Sequence, residues 1–102
     1  MPKVAKRKPG NLGKYIHELA VLLSEEDNEG MSQIITDLLT PMEQEMLAKR
    51  IQIIKMLLTG KRYHEIQKSL NVQRSTIAHM QSKITLSPTK KLEKTVITKL
   101  PH

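Results

Sequence analysis

The chain has no cysteine, no tryptophan and no phenylalanine. Without cysteine there can be no disulfide framework, thiolate metal site or cysteine nucleophile, and the absence fits a reducing interior. Tyr15 and Tyr63 are the only aromatic residues, so a core must be assembled from Leu, Ile, Val and Met. No apolar run approaches the roughly 20 residues that span a bilayer. The stretch Leu19–Leu23 is too short for a signal-peptide core and runs straight into acids. No nucleophile elbow or glycine-rich phosphate loop is present, and His17, His64, His79 and His102 never cluster with acids or one another. The expectation is a soluble cytoplasmic protein, with no membrane contact, no metal and no catalytic activity.

What is present is a basic chain of 102 residues, long enough for one domain with a modest core. Its formal net charge is +7, and the distribution says more than the total. Residues 1–14 hold Lys3, Lys6, Arg7, Lys8 and Lys14 with no acid. Residues 15–60 carry three bases against eight acids, and residues 61–102 nine bases against two acids. Charge separated in this way presents a basic face to a polyanion. Basicity alone also fits a merely solvated surface.

Two prolines and two glycines mark residues 1–13 as a flexible basic arm with little to bury. Such an arm either follows phosphates and enters a minor groove or serves as a solubilising tail. Residues 14–102 then form the helical domain. Tyr15, Ile16, Leu19, Leu22 and Leu23 share one helical face, and Ser24–Gly30 closes that helix. Met31–Leu39 repeats the pattern, with Ser32 near its start. The strongest helix signal follows. Thr40 offers a hydroxyl cap, Pro41 takes the first helical position, and Glu43 completes a capping box. This helix runs through Met46, Leu47, Ile51, Ile53, Ile54, Leu57 and Leu58 and stops at Gly60. It is apolar on more than one side, which suits either a monomer core or a core shared between two subunits; the second is favoured because short flanking helices cannot cover it. Tyr63–Leu70 and Arg74–Ile84 are two further helices, and Pro88 opens a last one with Leu92, Val96, Ile97 and Leu100 inward. The six methionines fall mostly at inward spacings, as packing filler does.

The segment 63–84 carries the functional signal. Ile66 and Leu70 lie one turn apart, Asn71 stands where the chain must turn sharply, and Val72 plugs the angle. Ile77, Met80 and Ile84 form the inner stripe of the second helix. Removing that stripe leaves Gln73, Arg74, Ser75, Ala78, His79 and Ser82 outward, which is the composition of a recognition helix in a helix-turn-helix. Arg bonds guanine bidentately and Gln does the same to adenine. Ser75 and Thr76 suit phosphates at the helix N-terminus. Lys61, Arg62, Lys68 and Lys83 make the surroundings basic. An ordinary helical hairpin with a polar exterior is the alternative, and the basic surroundings weigh against it. RNA is disfavoured because no aromatic pair is available to stack unpaired bases.

The order of these motifs also resembles a known family. Leu39-Thr40-Pro41-x-Glu43, Leu47-x-x-Arg50-x-x-Ile53, Leu57-Leu58-x-Gly60, Glu65-Ile66-x-x-x-Leu70, Thr76-Ile77 and Pro88 look like the trp repressor superfamily, from about residue 15 to 100. Tyr63-His64-x-Ile66 is closer to a branch of short trp-repressor-like bacterial proteins. The resemblance implies an all-α fold of six helices and an intertwined homodimer. It also implies two helix-turn-helix units reading a palindrome in double-stranded DNA, repression of transcription, and association with the nucleoid. The family holds tryptophan through the loop before the long helix, an arginine in that helix, and an arginine-glycine pair in the recognition helix. Thr40 and Arg50 match the first two, whereas the pair aligns with His79 and Met80, and the turn after Gly60 is one residue shorter. A methionine where the indole must fit, and a histidine at position 79 in place of the arginine that packs on the ring, argue against tryptophan as corepressor. The expected pocket residues are Thr40, Arg50, His79 and Met80, with no cofactor assigned and the effector open. The rival class is a dimeric interaction module or a nucleic-acid packaging factor with no operator.

Overall fold

The structure is a computed structural model that describes residues 10–100. Those residues form six α-helices: α1 Leu12–Ser24, α2 Asn28–Leu38, α3 Pro41–Leu58, α4 Tyr63–Leu70, α5 Arg74–Leu86 and α6 Lys91–Lys99. The fold class is all-α. No helix is long and apolar enough to cross a membrane, and no group of metal-ligating side chains occurs among the described residues. The chain divides at Thr40 and Pro41 into two compact units.

The first unit holds α1 and α2. Helix α1 begins at Leu12, inside the stretch assigned to the arm; Lys3, Lys6, Arg7 and Lys8 lie outside the described residues. Its apolar stripe stays open: Tyr15, Ile16, Leu19 and Leu22 are between 40% and 57% exposed. Helix α2 starts three residues before the expected Met31. The cause is Asp27, whose Oδ1 accepts from the Gly30 backbone N–H at 2.8 Å and caps the first turn. Ser32 instead donates its hydroxyl to the Asn28 carbonyl within that helix. No residue of α1 or α2 is buried.

The second unit holds the core. Ile53, Ile54, Ile66 and Ile77 are fully buried, joined by Met80, Ile84 and Val96. Helix α3 is the organiser, with α4, α5 and α6 packed against it. Its last third, Ile53–Leu58, enters this core. Met46 and Leu47, on the earlier turns of this helix, remain 44% and 45% exposed. Gly60 adopts φ +83, a left-handed conformation that ends α3 as its glycine predicts.

Helix α6 departs from expectation at its start. Pro88 does not open it. The chain first passes through Lys90 at φ 55, and the helix begins at Lys91. Only one stripe of this short helix meets the core, through Val96 and Leu100. Leu92 and Ile97, both expected inward, are therefore 42% and 49% exposed.

Candidate nucleic-acid interface

Helices α4 and α5 are crossed through a turn that their residues dictate. Asn71 closes α4 in the left-handed region at φ 54 and ψ 56, where Asn is better tolerated than most residues, and its N–H donates to the Gln67 carbonyl at 2.9 Å. Val72 packs against the core from inside the turn. Ile66 on α4 and Ile77 on α5 are both fully buried, which fixes the two helices against α3. At the start of α4, Glu65 accepts the Arg62 backbone N–H at 3.3 Å.

With Ile77, Met80 and Ile84 buried, the opposite face of α5 is determined by helical geometry. Gln73, Arg74, Ser75, Ala78, His79 and Ser82 are all exposed. So are Lys61, Arg62, Lys68 and Lys83, which share the second unit with them. Thr76 stands apart from this group. It is half-buried and lines a cleft of about 210 Å³ with Val72, Met46 and Arg50, rather than the outer surface. No side chain caps α5 at Gln73. The N–H groups of Arg74 and Ser75 thus carry the positive end of the helix without an intrahelical acceptor, while Thr76 N–H donates to the Gln73 carbonyl at 3.1 Å. A surface with exposed donors, an arginine and a helix N-terminus can bind phosphate and read base edges.

Three of the expected pocket residues, Arg50, His79 and Met80, do not line one common cavity within the second unit. Arg50 lines the cleft between α3 and the helix-turn-helix, and its Nε is buried without a hydrogen-bond partner. His79 lines a different cavity, about 520 Å³, between α5 and the start of α6, with Lys83, Leu92 and Glu93. Met80 opens on neither of these; it is 6% exposed within the core. Thr40 closes the first unit, ahead of these three.

Sequence reasoning missed two features. The Arg74 guanidinium lies over the Tyr63 ring, 4.8 Å from its centroid. Both residues are the first of their helices, but only the crossing of α4 and α5 reveals that they meet. The second is Lys90, whose Nζ donates to the carbonyls of Ile84 and Thr85 at 2.9 and 2.6 Å. Nothing in its sequence context marks a lysine there as a helix cap.

Neither a curated protein nor a solved structure matches the chain. The model of one family does, over residues 16–96, and that family is described as Trp repressor protein. The matched span runs from within α1 to within α6 and includes the whole of the crossed pair α4–α5. On that extent the chain belongs to the Trp repressor family, a family of DNA-binding regulators of transcription.

Proposed function

We propose that this protein is a sequence-specific repressor that binds a palindromic operator as a homodimer. The observation that carries the reading is the sidedness of α5. Ile77, Met80 and Ile84 are buried, while Gln73, Arg74, Ser75, Ala78, His79 and Ser82 stand exposed around an uncapped helix start. In this reading Arg74 and Gln73 contact base edges, Ser75 contacts phosphate, and Lys61, Arg62 and Lys68 hold the flanking backbone. Thr76 supports the recognition helix from within. In this reading the protein acts at the nucleoid.

Dimerisation is supported by the apolar surface a single chain leaves open, namely Tyr15, Ile16, Leu19 and Leu22 on α1 and Met42, Met46 and Leu47 on α3. A chain this small gains stability by sharing such area with a second copy. Tryptophan is not the corepressor in this reading. Met80 places a packed side chain where the family uses glycine, and Arg50 and His79 face separate cavities. Titration calorimetry should detect no micromolar tryptophan binding.

The test separates base reading from charge alone. Arg74→Ala and Gln73→Ala should change which DNA sequences are preferred. Lys68→Ala should weaken binding to every sequence and reduce the slope of log K against log salt by about 0.9. A packaging factor would lose affinity equally for all sequences in all three variants.

A further inference from the structure

We infer that Tyr63 is a positioning residue for base recognition, its ring holding the Arg74 guanidinium in a set orientation at the start of α5. The inference rests on the operator-reading proposal and names a residue that serves it. The guanidinium carbon lies 4.8 Å from the ring centroid, inside the roughly 6 Å over which a ring quadrupole attracts a cation. Tyr63 is half-buried and packed against the core, so its ring has a fixed place, whereas Arg74 is exposed.

Two features of the arrangement make it suited to recognition. A cation at the first position of a helix faces the positive end of the helix dipole and is disfavoured there. Among the described residues no carboxylate pairs with Arg74 to offset this. The face of the tyrosine ring does so without cancelling the charge. The contact uses up no conventional hydrogen-bond acceptor, so N–H donors of the guanidinium stay available. Those are the donors that meet guanine O6 and N7 as a pair. An arginine already held in place has less rotamer freedom to lose when it docks.

The experiment compares Tyr63→Leu with Tyr63→Phe in the full chain, alongside Arg74→Ala, by selecting bound DNA from a random library. Arg74→Ala identifies the base pair that arginine reads. Tyr63→Leu should weaken the preference at that same pair by roughly two- to fivefold, and Tyr63→Phe, which keeps the ring, should restore it. In parallel, the Arg74 δ-protons should be shifted upfield by the ring current in the wild type and in Tyr63→Phe, and not in Tyr63→Leu. Full preference in a folded Tyr63→Leu variant, or unshifted Arg74 δ-protons in the wild type, would overturn the inference while leaving operator reading intact. A wild type with no base preference at all would remove the operator reading and this inference with it.

Discussion

Lys90 Nζ donates to the carbonyl oxygen of Ile84 at 2.9 Å, so a residue beyond the end of α5 closes that helix from outside. The same ammonium reaches the Thr85 carbonyl, and the Lys90 backbone sits at φ 55, a conformation side-chain-bearing residues avoid. Charge-assisted bonds to orphan carbonyls offset that backbone cost. Lys90→Met should therefore lower stability by about 1–2 kcal/mol in denaturant unfolding. Lys90→Gly should lose less, because glycine relieves the left-handed strain while forfeiting the bonds.

The two other left-handed positions should respond in opposite ways to glycine and to branched residues. Asn71→Val places a β-branched side chain at φ 54 and should cost about 1–2 kcal/mol. Asn71→Gly should leave stability nearly unchanged. At Gly60, where a Cβ would meet nothing within 4 Å, Gly60→Ala should cost about 1 kcal/mol through the backbone alone. Thermal or denaturant midpoints check all three.

What could be read from the residues, and what could not, divides along local and non-local causes. The limits of α3 and α4 follow from Pro41, Gly60 and Asn71, whose backbone preferences act without a tertiary partner. The outward face of α5 follows from the spacing of Ile77, Met80 and Ile84. The start of α2 is equally local, since Asp27 caps it through a bond to Gly30 three residues on. Other features depend on which helix lies opposite. Leu92 and Ile97 have the spacing of core residues, yet α6 presents only the Val96–Leu100 stripe. Thr76 sits among recognition residues in sequence and turns toward Arg50 in space. The Tyr63–Arg74 contact spans eleven positions and exists only through the crossing of two helices.

The core that holds the crossed helices is small, so a single cavity within it should be costly. Ile77→Ala removes a fully buried side chain and should destabilise the fold by about 2–5 kcal/mol. DNA affinity should fall in step with the folded fraction, and circular dichroism with binding measured on the same samples would show this. Ala78, exposed on the same helix, should tolerate Ala78→Ser without loss of fold.

The homodimer proposed above would bury the open stripe of α1. Leu19→Glu puts a charge in the middle of Tyr15, Ile16 and Leu22. Burying that charge unpaired is unfavourable, so sedimentation equilibrium should show a dimer for the wild type and a monomer for Leu19→Glu. A dimer of unchanged strength in the variant would place the interface elsewhere.

Selection of bound sequences by the wild-type protein from a random duplex library decides whether α5 reads DNA. The recovered sites should share a two-fold symmetric sequence, with half-sites about one helical turn apart, roughly 10 base pairs, as two recognition helices in successive major grooves require. Recovery of no common sequence, with every duplex bound alike, would contradict the assignment of α5 as a recognition helix.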